Sequence, residues 1–322
     1  MTDATDAFET LYARGVTDGL PVIPPTVERV RAAVEATGRD GEELIALVAP
    51  RHGRATVQRI AVNAVMAGCR PEYVPVVLAA VEAICDPAFA LEGVSGTTDA
   101  VTPLVIVNGP VRAALEVNCG VGVFGPGWRA NATIGRAVRL VWANIGGAGP
   151  GVISMSTFAQ PGRYTYCIGE REEDSPWEPL HVEHGFAETD STVAVLAAEG
   201  PQVVVDARSR SARDVLTTIA RNGEAIASHA IGELGDTLVV VGPEHAGTIA
   251  AEGWSKADVR AFLWEHTRAE VDGARVAKFR DPDALHVVVA GGTAGRFSAW
   301  VPGWPFRGAP SRLVLRRIAA PR

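Results

Sequence analysis

Short, uninterrupted apolar runs separated by helix-length segments are the feature that most constrains this fold. Residues 104–108, Leu-Val-Ile-Val-Asn, form one such run, and similar runs occur at residues 193–197, 203–205, 238–241 and 286–290. A continuous apolar run of this length is typical of a strand that is buried on both faces. Strands of this kind alternating with helices predict an α/β fold with mostly parallel sheets and helices on their faces.

The chain also contains two series of similar landmarks in the same order. An apolar run ending in Gly-Pro occurs at residues 104–110 and again at 238–243. Each is followed by a Gly-Trp pair, a helix carrying a second tryptophan, and a glycine cluster, at residues 146–149 and 291–295. Ordered landmarks of this kind indicate an internal duplication. We therefore expect two related α/β halves, residues 1–190 and 191–322, with the binding site in the cleft between them.

Charge and composition exclude several classes of protein. The formal net charge is −7, with 30 basic and 37 acidic residues, which argues against binding to nucleic acid. The four cysteines are scattered without a Cys-x-x-Cys spacing, as in a reduced cytosolic chain. The first residues lack a signal-peptide pattern, and no apolar run is long enough to span a membrane. We therefore expect a cytoplasmic protein that does not bind a membrane.

The glycine-rich segment at residues 119–133 is the most informative part of the chain. It leads into a predicted helix, and the free N–H groups and the dipole of a helix N-terminus favour an anion. The side chains expected to bind a carboxylate or phosphate there are those of Arg129, Asn131, Thr133 and Arg136. The alternative is a turn that needs glycine only for its backbone conformation.

A second glycine-rich loop follows the apolar run at residues 286–290. Ligands of open α/β sheets bind beyond the carboxyl ends of the strands, so this loop is a second candidate for substrate binding. Its candidate residues are Gly291, Gly292, Thr293, Arg296 and Ser298. Two hydroxyl side chains before the first Gly-Pro run, those of Thr97 and Thr98, could add donors.

Three residues are candidates for catalysis. His245 follows a predicted strand at the start of a helix, and His184 lies in a polar segment with His181 and Glu183. Either imidazole could transfer a proton near neutral pH, or could simply be solvated. The spacing of His181 and His184 does not match the paired histidines of a zinc-protease helix. Cys119 precedes the glycine-rich loop, where its thiol could be a nucleophile or a small buried apolar group.

Four segments carry a resemblance to a known family: residues 19–25, 61–73, 103–110 and 125–136. In these segments the chain resembles a bacterial family of unestablished function associated with the UGSC (seleno)protein. The Sec/Cys-Gly-Ser-Cys motif that defines that protein is absent from this chain. The resemblance implies a separate thiol-bearing protein subunit as a partner, and it supplies neither a substrate nor a catalytic residue.

The sequence therefore favours an enzyme that acts on a small carboxylate- or phosphate-bearing substrate, with a lyase-type reaction at a carbon–heteroatom bond. Arginines and glycine-loop N–H groups would stabilise negative charge, and a histidine would carry the proton. One alternative is a metal-assisted hydrolase using His181 and His184. Another is a non-catalytic binding subunit of a thiol- or selenol-dependent complex. We expect no cofactor and a homo-oligomer.

Overall fold

The computed structural model describes residues 4–305 and 311–319. Its strands are β1 (Leu44–Val48), β2 (Gly53–Thr56), β3 (Thr102–Asn108), β4 (Cys167–Gly169), β5 (Thr192–Ala198), β6 (Gln202–Val205), β7 (Thr237–Val241), β8 (Arg268–Val271), β9 (Ala274–Ala277), β10 (Leu285–Val289), β11 (Phe297–Val301) and β12 (Val314–Arg317). Its helices are α1 (Ala4–Ala13), α2 (Val27–Glu35), α3 (Val57–Ala67), α4 (Val74–Ile84), α5 (Leu91–Gly96), α6 (Pro110–Ala114), α7 (Arg129–Asn144), α8 (Leu180–Glu183), α9 (Ala212–Gly223), α10 (Pro243–Ala250) and α11 (Lys256–His266).

Several helix boundaries follow directly from local sequence. The side-chain oxygens of Thr26 and Thr56 accept hydrogen bonds from the backbone N–H groups of Arg29 and Arg59, and so cap α2 and α3. Gly68 ends α3 at φ +93°, a left-handed conformation that glycine adopts without strain.

Eight of the strands form two four-stranded sheets. The first has the order β12-β5-β3-β4, and the second has the order β10-β7-β11-β6. β1 with β2, and β8 with β9, form two separate antiparallel pairs.

The two sheets pack face to face, with helices on the outer face of each. Leu104 of β3 and Leu238 of β7 share a central hydrophobic cluster between the sheets. Their neighbours in sequence, Val105 and Val239, point the other way, because successive side chains of a strand alternate between its faces. Val105 packs in the cluster formed with α3, α4 and α7, and Val239 packs in the cluster formed with α9, α10 and α11. The layer order is therefore helix, sheet, sheet, helix, which confirms the α/β class.

The prediction of mostly parallel sheets is wrong. In the two large sheets only β3 with β4 and β7 with β10 pair in parallel, and the other four pairings are antiparallel. Four of the five apolar runs lie in strands that are buried on both faces, whereas the run at residues 203–205 lies in β6, where Val203 and Val205 are exposed. Burial on both faces does not specify strand direction, because a helix layer on one side and a second sheet on the other also bury an antiparallel strand.

The predicted internal duplication is not supported. Both sheets contain one parallel and two antiparallel pairings, but the predicted glycine clusters are not equivalent. Gly146 lies just after the helix α7, and a Cβ there would overlap the carbonyl oxygen of Ala49, whereas Gly291 lies just after the strand β10. In addition, β5 and β12 lie beyond residue 190 but belong to the sheet of β3 and β4. The division at residue 190 therefore does not separate the two sheets.

The segment at residues 160–190 is polar in composition, which is typical of a segment outside the core. It nevertheless contains β4 and α8, and Ile168 and Leu180 are fully buried in the central cluster between the sheets. The elements are only three and four residues long, too short to produce a periodic apolar pattern.

Within the described ranges, no single helix is long and apolar enough to cross a membrane. The pair Pro71–Ile84 and Pro87–Gly96 reaches that length and composition only together, and it is bent by 70°.

Candidate functional site

The two predicted glycine-rich loops meet beside the ends of β4 and β10. The backbone N–H of Gly291 donates to the carbonyl oxygen of Cys119 over 2.9 Å. A Cβ on Gly292 would lie 2.8 Å from Cγ2 of Val121, so the two loops approach each other closely. The structure thus brings the two loops together.

The side chains predicted to bind an anion at the start of α7 do not converge. Nε and Nη2 of Arg129 donate to the carbonyl oxygen of Gly68. Asn131 bonds to the backbone of Asn118, and the hydroxyl of Thr133 donates to the carbonyl oxygen of Arg129. Arg136 forms a bidentate ion pair with Asp18, at 2.8 and 2.7 Å. These bonds turn the side chains to different parts of the protein. Binding of an anion at the start of α7 stays a prediction.

His245 is fully buried and bonded at both ring nitrogens. Nδ1 lies 2.8 Å from the hydroxyl of Ser298, and Nε2 lies 3.1 Å from the carbonyl oxygen of Asp206. Burial lowers the pKa of His245. Arg296 bonds to Ser209 and Thr248 nearby. Through these hydrogen bonds, His245 of α10 connects the loop after β6 to β11, which is a structural role.

The remaining residues predicted to bind substrate, in the second loop and before β3, do not converge on one place. Thr293 is exposed to solvent, and no described hydrogen bond fixes its side chain. The hydroxyl of Thr97 accepts a bond from the indole of Trp304 at 3.2 Å. The carbonyl oxygen of Thr98 accepts a bond from the backbone N–H of Thr157 at 2.9 Å, which places this loop beside residues 154–163.

The two histidines of α8 and its C-terminus lie in different environments. His181 is fully buried with both ring nitrogens unpaired, whereas His184 is exposed, with its ring 5.7 Å from that of His286. Glu183 pairs with Lys256 and Arg260 instead. The described residues contain no group of three or more histidine, cysteine, aspartate or glutamate side chains placed to hold a metal ion.

Cys119 lies next to a guanidinium. Nη1 of Arg112 is 3.3 Å from Sγ of Cys119. Burial raises the pKa of the thiol, and the nearby charge of Arg112 opposes this only in part. The thiol is therefore held in its neutral form, which is the less nucleophilic one.

A cavity between α7 and the loop that precedes β4 is lined by two arginines that sequence reasoning missed. We call it the arginine pocket. Its volume is about 280 Å³, and it is lined by Thr17, Asp18, Arg139, Leu140, Ala143, Pro150, Gly151, Ser154, Ser156, Ala159, Gln160, Arg163 and Tyr164.

Arg139 projects from α7 and is only 8% exposed. Its Nε donates to the carbonyl oxygen of Arg163 over 3.1 Å, and its guanidinium carbon lies 4.3 Å from the centre of the Trp142 ring. Nη1 is completely buried and has no hydrogen-bond partner among the described residues. A buried guanidinium N–H without a partner is costly.

Arg163 also lines the pocket. Nη1 donates to the hydroxyl of Ser154 over 2.6 Å, and Nη2 donates to the carbonyl oxygen of Val101 over 2.9 Å. Nε is buried and has no partner.

Gln160 supplies a third unpaired donor. Its Oε1 accepts a bond from the backbone N–H of Gly162 at 2.7 Å, which fixes the orientation of the amide. The other end, Nε2, is buried without a partner. The three unpaired buried side-chain atoms among the residues lining the pocket are therefore all donors, and acceptor oxygens are the groups that would complete them.

The pocket has excess positive charge. In the described part of the chain, neither Arg139 nor Arg163 forms an ion pair with a carboxylate. Asp18, the carboxylate among the lining residues, is already paired with Arg136. Burial, and then the charge of Arg163, lower the pKa of Arg139, and burial lowers the pKa of Arg163. Both shifts reflect the cost of keeping two cations in a poorly solvated site, although guanidinium groups stay charged at neutral pH.

One signal for this site was present in the sequence. Arg139 interrupts the apolar stretch Ala-Val-Arg-Leu-Val-Trp at residues 137–142. An arginine within the buried face of a helix requires a partner or a ligand. Nothing local indicated Arg163 or Gln160, because their contacts depend on the path of the loop.

Comparison of the chain with known protein families and with curated proteins found no match. The resemblance described above therefore stays a prediction.

Proposed function

We propose that this protein binds a small carboxylate- or phosphate-bearing ligand in the arginine pocket. The observation that carries the proposal is that three of the described residues lining one cavity, Arg139, Gln160 and Arg163, each have a buried donor without a partner. An anion would accept these bonds and offset the charge of two guanidiniums at once, and charge-assisted bonds of this kind are the strong ones.

The size of the cavity limits the ligand. A volume of about 280 Å³ lies just below the range of sites that hold drug-sized molecules. The ligand is therefore a small metabolite-sized acid rather than a nucleotide. The apolar side chains of Leu140 and Ala143, together with Pro150, would contact its carbon atoms.

The lyase, the metal-assisted hydrolase and the thiol-dependent subunit remain predictions beyond this binding role. Among the residues that the structure describes, those lining the pocket include no cysteine or histidine. Binding is thus the function that the geometry supports best.

Isothermal titration calorimetry with sulfate and with succinate tests the proposal. We expect the wild-type protein to bind at least one of these anions. Arg139→Met is expected to weaken binding about tenfold or more, because it removes charge-assisted hydrogen bonds to the ligand. Arg221→Gln, at an exposed position of α9, removes a charge elsewhere and should bind like the wild type.

Stability measurements separate loss of the site from loss of the fold. Without ligand, the free energy of unfolding of Arg139→Met should lie within about 1 kcal/mol of the wild-type value, because removing an unpaired buried charge offsets the lost contacts. Failure of the wild type to bind either anion, or equal binding by the wild type and Arg139→Met, would refute the proposal.

A further inference from the structure

Each of the two large sheets has two edge strands, and the edges of β4 and β10 are bonded to other segments of the chain. At the outer edge of β4, the backbone N–H of Gly169 donates to the carbonyl oxygen of Asn118 over 2.9 Å. At the outer edge of β10, the carbonyl oxygen of Val289 accepts a bond from the backbone N–H of Arg171 over 2.8 Å. Neither strand therefore presents a fully open edge.

The other two edge strands, β12 and β6, differ in their side chains. β12 carries Arg316 and Arg317, and charged side chains of this kind keep an edge strand from pairing with another chain. β6 (Gln202–Val205) carries no charged side chain and no proline. Its residues Val203 and Val205 are 63% and 58% exposed. β6 is thus the apolar edge of the two large sheets.

The backbone groups of these two valines face the open edge. The N–H of Asp206 donates to the carbonyl oxygen of Arg296 over 3.1 Å, so this pair is hydrogen bonded across to β11. Hydrogen-bonded and non-hydrogen-bonded pairs alternate along an antiparallel ladder. Val205, opposite Phe297, and Val203 therefore turn their N–H and C=O groups away from β11. No other described group bonds to them.

The exposed side chains beside this edge form one apolar patch. Val203 and Val205 project from the same face of the sheet, because side chains alternate along a strand. Phe297 lies opposite Val205 on that face and is 45% exposed. An apolar patch next to unpaired backbone groups is the pattern that binds a further strand.

We propose that two copies of the chain associate through β6, which pairs antiparallel with β6 of the second copy about a two-fold axis at Val204. Val203 then lies opposite Val205 of the second copy, and each of the two equivalent pairs exchanges two backbone hydrogen bonds. The two four-stranded sheets join into one sheet of eight strands. A two-fold axis closes the assembly at a dimer.

The residues of β6 suit a copy of itself. In this register Gln202 lies opposite Asp206 of the second copy, so an amide that can donate a hydrogen bond is placed opposite a carboxylate. The two Asp206 side chains lie at opposite ends of the strand pair. Valines of both copies meet on one face, and cross-strand pairs of β-branched side chains stabilise a sheet. A parallel alignment would instead place the two carboxylates side by side.

Sedimentation velocity of the full chain at several concentrations tests the proposal. We expect the wild type to sediment as a dimer that dissociates on dilution. Val205→Lys should weaken association about tenfold or more, because an ammonium would lose its water at the interface. Val27→Lys is the matched control, since Val27 is an exposed valine of α2, and it should associate like the wild type.

Val205→Pro tests the backbone pairing. Proline removes the N–H group that faces the open edge, and an edge strand tolerates proline where that N–H faces solvent. The variant should therefore fold and yet be monomeric. Circular dichroism and urea unfolding of both Val205 variants show whether the fold is kept.

Cross-linking tests the register. In the proposed dimer, Val203 and Val205 of different copies have Cα atoms about 5.5 Å apart, within the range of a disulfide. Two copies of the same valine are diagonal neighbours about 7–8 Å apart, which is too far. A mixture of Val203→Cys and Val205→Cys proteins should therefore form an intermolecular disulfide, identified by mass spectrometry, that neither variant forms alone.

Three results would overturn the proposal. The first is a wild-type protein that is monomeric at every concentration. The second is a dimer that persists in both Val205→Lys and Val205→Pro, because its interface then lies elsewhere. The third is cross-linking of Val203→Cys with itself in preference to Val205→Cys, which contradicts antiparallel pairing about Val204.

Discussion

His245 shows how a buried polar side chain can connect segments that are distant in sequence. Its partners are the hydroxyl of Ser298, in β11, and the carbonyl oxygen of Asp206, in the loop after β6. Both ring nitrogens are therefore satisfied inside the protein. A base with both nitrogens bonded and no exposed surface is poorly placed to take a proton from a substrate.

At the residue scale we expect His245→Ala to destabilise the protein by about 2–4 kcal/mol. The substitution leaves a cavity and two unpaired polar groups. Sulfate affinity should not change, because the arginine pocket lies elsewhere. Urea unfolding and calorimetry measure the two quantities. Thr293→Ala, in the exposed loop, is the control and should change stability by less than about 0.5 kcal/mol. If His245→Ala were as stable as the wild type, the structural role of His245 would be ruled out.

At the scale of elements, α7 links the core of the first sheet to the arginine pocket. It carries Arg139 and also Gly135, which faces the segment that leads into β4. A Cβ on Gly135 would lie 2.7 Å from the hydroxyl of Thr165 and would overlap the backbone N of Tyr166. Glycine lets the helix approach this segment closely enough for Thr165 to donate to the carbonyl oxygen of Ala132.

Two glycine substitutions in helices should therefore have opposite effects. Alanine is favoured over glycine inside a helix by about 1 kcal/mol. Gly247→Ala in α10 should gain about this amount, because a Cβ there meets nothing within 4 Å. Gly135→Ala should instead lose about 1–3 kcal/mol through overlap with backbone atoms. Chemical denaturation of both variants measures the difference. If both variants gained stability, close packing would not be the reason for Gly135.

At the scale of the whole molecule, the two sheets are mutually dependent. The chain crosses from β5 in the first sheet to β6 in the second, and later from β11 in the second to β12 in the first. The facing sides of the sheets bury one continuous cluster that includes Ile106, Leu196 and Val288. Neither sheet can bury its inner face without the other.

Fragments 1–190 and 191–322 are therefore not expected to fold alone. The first lacks β5 and β12, and the second would expose the inner face of its sheet. Circular dichroism and denaturant titration of each separate fragment should show no cooperative transition, whereas coexpressed fragments should associate. Cooperative unfolding of either isolated fragment would show that the division at residue 190 does mark two independent halves.

The sequence by itself determined the features that depend on neighbours along the chain. Thr26 and Thr56 begin helices because a side-chain oxygen can reach an N–H group three residues away. The runs at 104–108 and 238–241 are strands because they are short and apolar on both faces. Such properties are local, and local patterns report them directly.

The tertiary structure alone decided strand direction and the partners of the charged side chains. Arg163 donates to the carbonyl oxygen of Val101, 62 residues earlier, and Arg136 pairs with Asp18, 118 residues earlier. The second contact takes Arg136 away from its predicted anion site, while Arg139, one helical turn later, is left with an unpaired donor. Hydrogen bonds between distant segments depend on how the layers pack, and no local pattern encodes that packing.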